Sequence, residues 1–130
     1  MDTFRFKQFE VYKDAKKLRK LAQSLLQKFP SSERNALKDQ INRSCLSVVL
    51  NIAEGSAKSS DREFARFLET SVASVSEVVA GFDLACDDEI ISHEELIQVE
   101  KLAESIAKQL GGFRKMLLRS GSRKSIVKGP

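Results

Sequence analysis

Wound into a helix, the stretch Ser44–Gly55, Ser-Cys-Leu-Ser-Val-Val-Leu-Asn-Ile-Ala-Glu-Gly, is apolar almost all the way round. Cys45, Val48 and Ile52 fall on one face and Leu46, Val49, Leu50 and Ala53 on another. A surface helix keeps a polar side, and a chain of 130 residues is too small to bury one helix in every direction. The stretch is therefore expected to face its own core with one side and another subunit with the other. Leu46, Val49, Leu50 and Ala53 become the expected oligomer interface.

The rest of the chain repeats the helical period. Val11, Ala15, Leu18, Ala22, Leu25 and Phe29 form one apolar stripe, and Pro30 stops it. Ser31 or Ser32 can cap the next helix, with Glu33 in its first turn and Gly55 as its stop. Ser60-x-x-Glu63 and Ser92-x-x-Glu95 are capping boxes that open two further helices. In the third, Phe64, Leu68, Val72, Val75, Val79 and Phe82 keep a 3.6-residue period over a length no strand reaches, although the valines would suit a sheet. Two prolines and six glycines in the whole chain fit the same reading. The expected fold is all-α, an up-down-up-down antiparallel four-helix bundle over residues 1–120, with helices at about 10–29, 32–55, 61–87 and 93–119. Residues 1–8 form an arm that packs its phenylalanines on the bundle, and 121–130 a basic flexible tail.

Charge is unevenly distributed. Residues 1–58 hold 12 Lys/Arg and 6 Asp/Glu, residues 59–113 hold 4 and 12, and residues 114–130 hold 6 and none. Basic ends around an acidic middle suggest contacts between subunits or with a polyanion. Lys13, Lys16, Lys17, Arg19 and Lys20 on the first helix would form one basic surface with Arg114, Lys115, Arg119, Arg123, Lys124 and Lys128, provided the first and last helices are neighbours. Such a surface binds phosphates by counterion release and hardly reads bases. Tyr12, Phe4 and Phe6 are the candidates for base stacking, too few for sequence-specific recognition of single strands. The plain alternative is that the lysines solvate helix faces.

Chemistry beyond binding finds little support. Asn51 and Glu54 sit three apart beside the expected turn, and the economical reading is structural: Glu54 accepts from backbone N–H groups near Ser59 and Ser60, and Asn51 bonds loop carbonyls. Together with Gly55, Ser60 and Glu63 they make up the expected structural turn. A catalytic role would need a nucleophile or a second acid–base group fixed beside them. His93 lies in a first turn next to Glu94 and Glu95, which suits a solvated side chain. Cys45 and Cys86 would stand roughly 20 Å apart along a hairpin, beyond the reach of a disulfide, and they read as reduced, buried small side chains. No enzyme activity, cofactor or metal is expected. Charged residues interrupt every apolar run before membrane-span length, and the opening lacks a signal-peptide core, so a cytoplasmic protein is expected.

Phe29-Pro30, Gln40-Ile41-Asn42-Arg43, Asn51-Ile52-Ala53-Glu54-Gly55, and Ser60 with Glu63-Phe64 and Phe67-Leu68 resemble the bacterial four-helix-bundle family found in intervening sequences of 23S ribosomal RNA genes. The resemblance runs from Phe6 to Arg114. It extends more distantly to the accessory variability proteins of diversity-generating retroelements. Where that family often carries Pro-Ser before the Asn, this chain has Val49-Leu50, so its second helix should run through unkinked. The resemblance implies a homopentamer and, on the retroelement branch, association with a reverse transcriptase and its template RNA. The function expected is non-enzymatic binding of an RNA or DNA backbone; the alternative is an interaction scaffold of the intervening-sequence family that binds no nucleic acid.

Overall fold

The computed structural model describes residues 3–31 and 35–120. Four helices follow a short 3-10 turn at Arg5–Gln8: α1 Glu10–Leu26, α2 Asn35–Ser56, α3 Asp61–Asp87 and α4 His93–Ser120. Among the described residues every regular element is helical. Each helix packs on two others, α1 on α2 and α4, α3 on α2 and α4, which closes a four-helix bundle. The contacts fix opposite directions: Gly81 meets Ile41, Ser74 meets Ser47 and Phe67 meets Gly55, so α3 descends as α2 rises. Likewise Asp14 accepts from Gln109 and Lys28 pairs with Glu95, so α1 and α4 run antiparallel. The Lys28 ammonium, with the Ser92 N–H, holds the Glu95 carboxyl below the usual carboxylate range.

The core is one cluster filled from all four helices, with Leu18, Ile41, Ile52, Phe64, Leu68, Phe82, Ile106 and Leu110 fully buried. At one end Phe9, Phe64 and Phe113 come together, Phe64 and Phe113 edge to face at 5.0 Å and Phe9 and Phe113 at 5.2 Å. Arg5 lies over the Phe9 and Phe64 rings at 5.8 and 5.6 Å and donates through Nη2 to the Ser56 carbonyl at 3.0 Å. The N-terminal turn is thereby tied to the end of α2. Of its phenylalanines, Phe6 packs edge to face on Tyr12, whereas Phe4 remains 59% exposed.

Helix ends depart from expectation in three places. α1 stops at Leu26, because Lys28 and Phe29 donate back to Leu25 and Leu26 in a tight i to i−3 turn. The ring of Pro30 disfavours α geometry at Phe29, whose side chain is nevertheless buried. α2 runs past Gly55 to Ser56, so the glycine does not end the helix. Of the two expected caps of α2, Ser31 stands in a turn, and Ser32, like the first-turn Glu33, lies outside the described residues. Ser60 Oγ accepts from the Glu63 N–H at 3.1 Å, while the Glu63 carboxylate turns to Arg66. At Ser92 both halves of the box form, Oγ accepting from the Glu95 N–H and Glu95 Oε1 from the Ser92 N–H. α3 closes with Ile90 N–H on the Ala85 carbonyl and Glu89 N–H on that of Cys86, a Schellman arrangement that puts Glu89 at φ 61°, where glycine is usual.

Candidate nucleic-acid interface

The apolar stripe of α1 turns Lys13, Lys16, Lys17 and Lys20 to the outside, and none of the four is buried. Local anions temper two of them: Lys13 stands 3.9 Å from Glu10 and Lys17 3.7 Å from Asp14. Lys16 sits over the Tyr12 ring at 5.2 Å. Pairs this exposed are weak and screened by salt, so the helix keeps a positive outer face.

Two residues do not join that face. Arg19 lies on the α2 side of α1, where its charge acts on Cys45. Arg114 turns to α3 and binds Glu69 at 3.0 Å through Nη2. Both Nε atoms are buried without a hydrogen-bond partner. Lys115 and Arg119 are exposed on α4, and Arg123, Lys124 and Lys128 lie outside the described residues. The structure adds Lys101 and Lys108, which with Lys115 recur every seven residues. The heptad spacing is present in the sequence, but the surrounding glutamates mask it, one of which, Glu104, pairs with Lys108 at 3.6 Å. Because α1 and α4 pack side by side, the two lysine stripes occupy the outer faces of neighbouring helices.

The second apolar face of α2 is narrower than its sequence suggests. Val49 is buried in the chain's own core, and Leu46 and Ala53 are half-buried, which leaves Leu50, 57% exposed, as the large outward apolar group. The flank carrying Val49 is already occupied because α2 lies between α1 and α3.

The turn is also held differently. Asn51 Nδ2 donates back along its own helix, to the Ser47 carbonyl at 2.8 Å and Ser47 Oγ at 3.0 Å, and not to loop carbonyls. Glu54 is exposed and pairs with Lys58 at 3.8 Å. Because α2 continues to Ser56, both side chains leave the helix before the turn begins. Ser56 Oγ, donating to the Ala53 carbonyl at 2.7 Å, and the Arg5 bond to Ser56 do the holding. Gly55 allows α3 to come close: a Cβ there would lie 2.7 Å from Phe67 Cβ.

A buried hydroxyl seam escapes the sequence reading. Ser71 Oγ donates to the Val48 carbonyl at 2.8 Å, and the Ser47 and Ser74 hydroxyls meet at 2.6 Å. Its signal is the serines recurring every three residues at 44 and 47 and at 71 and 74.

Cys45 and Cys86 are both free. Burial pushes the Cys45 thiol up to about 12, against the opposing pull of Arg19, so it stays protonated and unreactive. Among the described residues no group of three or more His, Cys, Asp or Glu is placed to hold a metal ion, and no helix is long and apolar enough to cross a membrane. His93 is exposed.

Comparison with known proteins agrees with this architecture. A crystal structure of a Bacteroides thetaiotaomicron protein of unknown function from the S23 ribosomal protein family superposes with a TM-score of 0.73 at 21% identity, covering 81% of this chain and 98% of that one, which shows a shared fold. None of the curated proteins matches the chain. The sequence profile of the 23S rRNA-intervening sequence proteins matches residues 7–112. That match spans all of α1, α2 and α3 and most of α4, and the chain belongs to the 23S rRNA-intervening sequence protein family.

Proposed function

We propose that this protein is a non-enzymatic, self-associating four-helix bundle that binds the phosphate backbone of nucleic acids through the outer face of α1 and the basic end of the chain. The observation that carries the reading is the outward cluster of Lys13, Lys16, Lys17 and Lys20, which the bundle does not need for packing. Lysines act as point charges and suit a backbone more than a base edge. In an assembly each copy repeats the face, so weak contacts add by multivalency. The homopentamer, and a reverse transcriptase with its template RNA as partner, are the finer forms that the family resemblance suggests. The scaffold alternative draws support from Arg114, whose charge is paired with Glu69 of α3 at the bundle surface.

Titration with a duplex DNA and an unrelated RNA over a salt series separates the two readings. Changing Lys16, Lys17 and Lys20 to Glu should weaken both ligands alike. The slope of log affinity against log salt should flatten by up to about 0.9 for each duplex phosphate that is no longer neutralised. Wild-type protein that ignores both ligands at low salt leaves the scaffold reading in possession.

Assembly is tested separately. Leu50→Glu should dissociate the oligomer in light scattering while leaving helicity intact, since a charge in an apolar contact has no partner. A wild type that scatters as a monomer at micromolar concentration removes the self-association reading.

A further inference from the structure

On the side of the bundle away from α1 and α2, small residues keep α3 and α4 from filling the space between them. A groove of about 530 Å³ results, with Val75, Val79 and Ala103 on its floor and Asp83, Glu100 and Glu104 on its rim. Packed helices stand roughly 8–10 Å apart, and an alanine at the contact leaves the outer part of that gap open. The three carboxylates come from both walls. Among the described residues Asp83 and Glu100 have no ion-pair partner, and that of Glu104 is the exposed Lys108. The groove therefore suits a short segment with branched apolar side chains between cations.

The chain itself contains such a segment. Residues 121–130 read Gly-Ser-Arg-Lys-Ser-Ile-Val-Lys-Gly-Pro, with Ile126 and Val127 flanked by Arg123, Lys124 and Lys128: three cations for three carboxylates and two β-branched groups for a valine-lined floor. The lysine face of α1 matches the charge but offers no apolar group between Lys13 and Lys20 on its outer side. Reach decides whose segment it is. From Ala103 to the end of α4 at Ser120 the helix runs roughly 26 Å. Ile126 and Val127, six and seven residues beyond Ser120, reach at most about 22 and 25 Å with the chain fully extended and no length spent on reversing direction, so on their own bundle they come level with Ala107 at the near end of the groove but fall short of Ala103. We propose that the α3–α4 groove is the docking site for residues 121–130 of a second copy of this chain, with Ile126 and Val127 on its floor and the cations against Asp83, Glu100 and Glu104. Those cations cannot hold the groove and a phosphate backbone at once, so a polyanion competes with the dock.

Two full-length chains test this, both with Cys86→Ser to remove the half-buried native thiol, one carrying Ala80→Cys in the groove wall and the other Val127→Cys. Mixed at equal concentration and oxidised with copper–phenanthroline, they should give the mixed disulfide-linked pair as the main product. Adding Glu100→Lys and Glu104→Lys to the groove chain should cut that yield at least tenfold. These positions are exposed, so circular dichroism should stay unchanged, and if it does not, Glu100→Gln with Glu104→Gln should still lower the yield. Duplex DNA at low salt should lower it too. Absence of the mixed product, or a yield indifferent to the rim charges, overturns the proposal. So does an intrachain disulfide at monomer mass when both cysteines are placed on one chain, since that would show the tail docking on its own bundle. Failure to cross-link while the salt-dependent binding described above persists removes the dock alone and leaves the nucleic-acid reading standing.

Discussion

Phe64→Ala lowers the free energy of unfolding by about 3–5 kcal/mol, the range for emptying a buried aromatic site. Phe64 is 1% exposed, and its ring meets Phe113 at 5.0 Å, Phe9 at 6.3 Å and the Arg5 guanidinium at 5.6 Å. Its removal takes away apolar burial, two ring contacts worth about 0.5–1.5 kcal/mol each, and one of the two rings under Arg5. The four helices of this end cannot collapse into the space, because Gly55 already sets α2 against α3 as closely as backbone allows. Against a total stability of roughly 5–15 kcal/mol for a domain of this kind, the loss shifts the urea midpoint by more than about 1 M. Phe64→Leu, which keeps most of the volume, should cost well under half as much. A loss below about 1 kcal/mol for the alanine variant would mean that the aromatic cluster closes over the gap.

Gly55→Ala sets two effects of known size against each other. Alanine is favoured over glycine in a helix interior by about 1 kcal/mol, and Gly55 has no positive φ to oppose the change. The new Cβ would stand 2.7 Å from Phe67 Cβ and 2.9 Å from Phe64 Cδ1. Phe67 Cβ is fixed to its backbone and cannot swing away, so α2 and α3 must separate, at a cost of about 1–3 kcal/mol or more. Packing wins, and the variant should melt lower than wild type. Gly111→Ala and Gly112→Ala supply the contrast, since a Cβ at either meets nothing within 4 Å and both residues are exposed. Each should raise stability by up to about 1 kcal/mol. Differential scanning calorimetry of the three variants checks both signs, and a stabilised Gly55→Ala would show that the hairpin yields.

Features carried by local chemistry are legible in the sequence. Four helices follow from the 3.6-residue stripes, and the starts of α3 and α4 from Ser60 and Ser92, because a cap is a contact three residues long. Features that depend on distant partners are not. Gly55 looks like a stop because the sequence shows a glycine near a turn, whereas its function is set by Phe67 on the next helix. Arg114 looks like part of a cationic end until the fold places Glu69 beside it. Val49 looks outward-facing because the sequence cannot say which flank of α2 a neighbour occupies. The α3–α4 groove leaves no mark on the apolar pattern, for it is made of side chains too short to meet.

The aromatic end of the bundle also governs the order in which the chain can finish folding as it is made. Phe9, Phe64 and Phe113 reach the growing chain in three separate instalments, and at roughly 5–20 residues per second the third follows the first by roughly 5–20 s. In that interval α2 and α3 can already lock through Ser47, Ser71 and Ser74, since hairpins of helices close far faster than the ribosome moves. The Phe9 end of the first helix meets Phe64 and, through Arg5, the Ser56 carbonyl before the last helix exists. Its edge-to-face contact still waits for Phe113, and a ribosome stalled short of that residue holds a nascent chain whose two earlier rings are covered on one side only.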